Sequence, residues 1–179
     1  MKLRSFRGMV LGIVLAIAIL AIPSTLPAEV IAANARKAAP EFDLKDSKGT
    51  RVHLPDFKGK VVLLNFWATW CHGCQTEIPW FMEFQSEFRH DGLAIVGVSM
   101  DDDGWKSVTP FIEEKKLNYT VVIGDEALGK LYGLGPMPKT VLIDRDGKIA
   151  ATYDGVVEKA GCESDIRALL RDDARNSAK

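Results

Sequence analysis

Lys60-Val61-Val62-Leu63-Leu64-Asn65-Phe66-Trp67-Ala68-Thr69-Trp70-Cys71-His72-Gly73-Cys74 is the stretch that decides the fold. Lys60 to Phe66 is a short, β-branched and leucine-rich run, the pattern of a strand buried on both faces of a sheet. After the cysteines, Ile78, Phe81, Met82, Phe84 and Phe88 recur at helical spacing, which predicts a helix from the cysteine pair to about Arg89. Cys71 and Cys74 thus stand three residues apart where a buried strand gives way to a helix.

Working outward, Leu93 to Ser99 reads as a second buried strand. Because it follows a helix, it is expected parallel to the first through a right-handed crossover. Trp105 to Lys115 predicts a helix, Tyr119 to Ile123 a short strand and Ala127 to Tyr132 a short helix. Thr140 to Ile143 and Lys148 to Tyr153, joined by Asp144-Arg145-Asp146-Gly147, predict a hairpin, and a last helix covers about Glu163 to Arg171. Upstream, Phe42 and Leu44, the turn Asp46 to Gly49, and Val52 and Leu54 predict another hairpin. The sum is an α/β fold: a central mixed sheet flanked by helices, with an N-terminal β-hairpin and a βα insertion.

The 179 residues suit one domain with extra sequence at an end. Formal net charge is −1, but five of the 23 basic residues and one of the 24 acidic ones precede Ala38, leaving 18 against 23, a balance of −5, from there on. A body of that sign lacks the basic stripe that phosphate binding needs, so nucleic acid is excluded as a partner. Lys2, Arg4 and Arg7 precede an apolar run from Met9 to Ile22, a targeting pattern that predicts export. Residues 1–33 are read as a signal peptide or signal anchor, 34–38 as a linker and 39–175 as the domain. The run is short for crossing about 30 Å of hydrocarbon, and small residues suited to cleavage occur at Val30-Ile31-Ala32 and Ala33-Asn34-Ala35. Both fates are open, and the membrane anchor is the reading favoured.

An odd cysteine count in an exported chain leaves one over: Cys162, far from the pair. A thiolate is the species that attacks disulfides. Cys71, facing the unpaired N–H groups and positive dipole end of the helix, is placed to have its pKa lowered from about 8.5. Cys74, one turn on, is close enough to form a disulfide with it and to release a bound partner by attack on the mixed disulfide. A loop this small constrains the unfolded chain little, which argues against a merely stabilising bridge. One C-x-x-C with only His53, His72 and His90 does not make a four-ligand zinc site. No metal and no cofactor beyond a redox-active Cys71–Cys74 disulfide is expected. Cys162 is read as an unpaired small residue opening the last helix, and Asp101-Asp102-Asp103 as a cap for the helix containing Trp105.

The quoted strand, the tryptophans and the cysteine pair resemble the active-site region of the TlpA/ResA-like branch of the thioredoxin superfamily. Ala39 to Leu44, Gln75-Thr76-Glu77-Ile78-Pro79 and Met137 to Asp144 extend the likeness in order, over nearly all of Ala39 to Val156. The resemblance implies a thioredoxin-like fold and an extracytoplasmic, periplasmic-side thiol:disulfide oxidoreductase. Implied partners are exported thiol or disulfide proteins such as apocytochrome c, and a membrane electron donor such as a CcdA/DsbD-like protein. It implies that Pro138 is cis beside the cysteines, with the Met137 backbone able to pair with an extended partner. Glu77 resembles the family's acidic residue behind the cysteines, and its position on the helix leans its side chain toward Cys74, whose proton it would take. Trp70 is expected to pack against the disulfide and Pro79 only to bend the helix.

One departure stands out. Relatives commonly carry proline before the second cysteine, where this chain has Gly73 preceded by His72. A protonated His72 would stabilise the Cys71 thiolate and make the pair more oxidising, against the family's bias toward reductants. Two other functions use similar folds. Peroxiredoxins place a threonine three residues before the reactive cysteine, where this chain has Ala68, with Thr69 one step off. Copper carriers of the Sco type space their cysteines by three residues and use a distant histidine, whereas here the spacing is two and no histidine follows His90.

Overall fold

The computed structural model describes residues 30–176. Of the targeting segment read at residues 1–33, residues 1–29 lie outside the described residues, and in the remainder Ile31 N–H donates to Ala150 O. Among those described, no helix is long and apolar enough to cross a membrane.

The seven-residue run read as the central strand is β3 (Val61–Trp67), buried at every position. The second apolar run is β4 (Leu93–Ser99), parallel to β3 with Asn65 opposite Gly97. A five-stranded sheet is built around this pair in the order β5-β4-β3-β6-β7, where β5 is Thr120–Ile123, β6 Lys139–Ile143 and β7 Ile149–Asp154. β5 runs parallel to β4, β6 antiparallel to β3, and β7 antiparallel to β6. The N-terminal hairpin forms a separate two-stranded sheet, β1 (Asp43–Lys45) with β2 (Arg51–His53).

Alternation along β3 divides the core. Val62, Leu64 and Phe66 pack with Phe42, Val52 and Leu54 of the hairpin region and with Leu128 and Tyr132. Helix α3 (Glu126–Leu131), capped by the Asp125 carboxylate, brings Leu128 to that face. Val61 and Leu63 pack on the opposite side with Phe81, Phe84 and Phe88 of α1 (His72–Phe88) and Ile166 and Leu169 of α4 (Lys159–Asn176). Each such side chain removed from water contributes roughly 1.5–3 kcal/mol, so β3 is the part of the sheet least able to move. Helix α2 (Trp105–Lys115) packs Val108 and Phe111 beside Trp67. The β5–α3 unit between β4 and β6 is the βα element expected from the sequence.

Three boundaries differ from the sequence reading. Residues 34–38, expected as a linker, are docked: Ile149 N–H donates to Lys37 O, Ala39 N–H at the segment's end donates to Gly147 O across the Ala38–Lys148 bridge, and the Arg36 guanidinium lies 3.0 Å from Asp144. Two backbone bonds and a nearly buried ion pair hold this segment against the C-terminal hairpin, which composition alone does not report. The last helix starts at Lys159, a turn before Glu163, because the Glu158 carboxylate accepts the N–H groups of Ala160 and Gly161. Cys162 therefore sits inside α4 rather than opening it. Finally, Gly104 precedes α2 without a side-chain cap, and Asp101 is engaged elsewhere.

Candidate active site

The carboxyl end of a central parallel strand, where the chain turns into a helix, is where this class of sheet exposes its chemistry. β3 ends at Trp67, and four residues later Cys71 stands at the N-cap of α1, its sulfur accepting the Cys74 N–H at 3.2 Å. The two cysteines are joined in a disulfide with Cα atoms 5.3 Å apart. Cys71 is 7% exposed and Cys74 1%, so the outer sulfur is the one a partner reaches first. In the dithiol, the Cys74 N–H and the dipole of a 17-residue helix favour negative charge on Cys71.

The turn carrying Cys71 is held from below by Asp101. Its buried carboxylate accepts the Thr69 N–H at 3.0 Å, the Thr69 hydroxyl at 2.5 Å and the Ser99 hydroxyl at 2.8 Å. This corrects the reading of Asp101 as a helix cap: it ties the end of β4 to the residues just before the cysteines. Asp101→Ala is expected to cost about 2–3 kcal/mol, because two hydroxyls and an N–H lose a charged acceptor. Urea unfolding of the oxidised protein measures it, and an unchanged midpoint would show that the turn is held without this carboxylate.

Met137-Pro138 is a cis peptide bond, as the resemblance implied. Its neighbourhood is fixed by Gly73. A Cβ on Gly73 would lie 3.3 Å from Pro138 Cδ and 3.0 Å from Val156 Cγ2. Gly73 therefore fits against the cis-proline and Val156 where a larger residue would press on both, a physical setting for the departure from the family's usual proline. Met137 packs against the cluster that holds Cys71, Cys74, Ile78 and Trp67. Trp70 departs from expectation. It is 68% exposed, whereas Trp67 is buried in the cysteine cluster, with Trp105 packed against it. Trp70 lies beyond the end of β3, where no sheet face receives it. His72 is exposed on the first turn of α1.

Glu77 is fully buried beneath α1. Its Oε1 accepts the Val157 N–H at 2.6 Å, from the segment joining β7 to α4. Burial pushes its carboxyl up to about 7, against the partial opposition of the Val157 N–H and the Asn65 amide. Val157 carries no sequence signal, since it acts through its backbone and is eighty residues away. Cys162 is a free, fully buried thiol packed beneath α4, pushed up to about 12 chiefly by burial, with Asp165, Glu77 and Glu158 adding to it. Among the described residues, no group of three or more histidine, cysteine, aspartate or glutamate side chains is placed to hold a metal ion.

Comparison with known proteins agrees with this geometry. Residues 35–152 match the AhpC/TSA family. The chain is 36% identical over 135 residues to the thiol-disulfide oxidoreductase ResA of Bacillus thuringiensis subsp. konkukian, covering 74% of this chain and 77% of that one. It is 36% identical over 157 residues to ResA of Oceanobacillus iheyensis, covering 85% and 81%. The solution structure of a thiol:disulfide interchange protein from Bacteroides sp. superposes with a TM-score of 0.67 at 29% identity, over 76% of this chain and 90% of that one. The chain belongs to the AhpC/TSA family and, within the thioredoxin superfamily, to the TlpA/ResA-like thiol-disulfide oxidoreductases, with Cys71 and Cys74 as its C-x-x-C pair.

Proposed function

We propose that this oxidoreductase works outside the cytoplasm, tethered by its N-terminal segment, and reduces disulfides of exported proteins, apocytochrome c among them. The observation that carries the reductive reading is the wholly buried Glu77 carboxyl, held near neutrality one helical turn beyond Cys74. The Cys71 thiolate attacks one sulfur of the substrate disulfide and the other leaves as thiolate. Cys74 then passes its proton to Glu77 and attacks Cys71, which expels the second substrate thiolate and leaves the Cys71–Cys74 disulfide. Two electrons have moved to the substrate. A membrane thiol donor of the CcdA/DsbD-like kind would return them. We read Trp70, His72, Met137 and Pro138 as the residues along which an extended substrate segment would lie, with Val156 exposed beside Gly73.

The Thr69 hydroxyl donates its proton to Asp101, so that proton is not available to a peroxide at Cys71, which supports the reductase reading over a peroxidase. The reduction potential of the pair tests the direction of flow. Equilibration in thiol/disulfide buffers, followed by tryptophan fluorescence, is expected to give a value near about −270 mV, that of a reductant needing an electron supplier. A value near about −120 mV would make the protein a disulfide donor and overturn the proposal.

A further inference from the structure

Three buried polar atoms on the α1 side of the sheet have no protein partner: Trp67 Nε1, Tyr119 Oη and Glu77 Oε2. Their positions follow from the register. Asn65 of β3 lies opposite Gly97 of β4, and Gly97 lies opposite Val121 of β5, all on the face that α1 covers. Gly97 has no side chain to fill that face. A Cβ there would lie 2.9 Å from Trp67 Nε1 and 3.2 Å from Tyr119 Cε2, so indole and phenol meet over the glycine. Glu77 sits over the neighbouring strand, where Asn65 donates to Thr140 at 3.0 Å and leans on the Glu77 carboxyl. Adjacent strands are about 4.8 Å apart, and the Glu77 charge adds to the burial that raises the Tyr119 hydroxyl, so phenol and carboxyl are neighbours beneath α1. Buried polar groups without partners are rare, and internal waters with two to four polar neighbours are the usual remedy.

We infer that an internal water, held over Gly97 by the Trp67 indole N–H and the Tyr119 hydroxyl, donates a hydrogen bond to Glu77 Oε2, making Tyr119 a positioning residue for the Glu77 proton. The hydrogens balance: the water accepts one bond from each ring and gives one to the carboxylate. The bond is made to the ionised form of Glu77, so it offsets part of the burial that disfavours that charge. The other titratable groups facing Glu77 are Cys74 on its own helix and Cys162 on α4, the latter backed by Asp165 and Tyr153. Neither sulfur carries a charge to supply this offset, Cys74 being disulfide-bonded in the oxidised state and Cys162 a buried neutral thiol.

This inference deepens the role proposed for Glu77 but is tested apart from it. In the full-length oxidised protein carrying 13C-labelled glutamate, the Glu77 carboxyl resonance is assigned by its loss in Glu77→Gln and titrated in wild type and in Tyr119→Phe. Removing the hydroxyl is expected to raise the Glu77 midpoint by about one pH unit. An unchanged or lowered midpoint overturns the inference. Gly97→Ala, which presses a methyl group into the same space, is expected to shift the midpoint in the same direction, and a shift in Tyr119→Phe without one here would place the effect in the phenol itself and overturn the water. The pH profile of disulfide reduction is then compared. A shifted resonance with an unshifted profile supports the water while removing Glu77 from catalysis, so the two readings fail separately.

Discussion

Cys71→Ser is expected to reduce insulin-type disulfides no faster than free thiols do, whereas Cys74→Ser retains the first attack and accumulates mixed disulfides. The asymmetry follows from position. Cys71 is the outer sulfur and the one toward which the helix directs an N–H, and Cys74 is 1% exposed behind it. A serine at position 71 keeps the cap but offers an alcohol whose ionisation lies far above any working pH. At position 74 it removes only the attack that releases the partner. Turbidity of reduced insulin measures the first outcome, and non-reducing electrophoresis of the protein incubated with a disulfide substrate measures the second. Retained turnover in Cys71→Ser would move the chemistry away from this pair.

Glu77→Gln is expected to make the oxidised protein more stable at pH 8 and nearly unchanged at pH 4, while slowing reduction roughly a hundredfold through loss of the proton acceptor. The carboxyl titrates near 7 in the folded protein against an ordinary value of 4.5. Below 4.5 it is protonated in both states and carries no penalty. Between 4.5 and 7 the unfolded chain gives up the proton that the folded chain keeps, and stability falls as pH rises. Above 7 the whole cost, roughly 3 kcal/mol, is present. Glutamine has no such dependence and still accepts from Val157, though its amide N–H groups claim back part of the gain. Urea unfolding of both proteins across this range decides the matter, and parallel pH profiles would show that Glu77 is ionised without penalty.

The sheet was legible because its strands are buried on both faces: the runs at residues 60–66 and 93–99 have few other physical solutions once flanked by helix-period segments. The cysteine pair, Glu77 and the cis-proline were legible through spacing and resemblance. What escaped was non-local. Asp101 stands in a run of three aspartates next to a helix, the composition of a cap, and only the fold brings it under Thr69. Val157 binds Glu77 through its backbone, Tyr119 looks like any strand-edge tyrosine, and the docking of Arg36 on Asp144 depends on a partner 108 residues away. Trp70, expected against the disulfide, is mostly exposed because it lies in the turn beyond β3, and its local sequence does not mark where the strand stops.

The burial of Cys162 also determines how faithfully electrons are routed. A third thiol in an enzyme that trades disulfides is a potential short circuit, able to capture a mixed disulfide or pair with either active cysteine. With a pKa near 12, the Cys162 thiol in the folded protein is ionised to about one part in 10⁵ at neutral pH, and it has no path to solvent. The packing of α4 against the sheet thus acts as insulation, and the fold need not rely on the absence of a spare sulfur to remain a two-electron device.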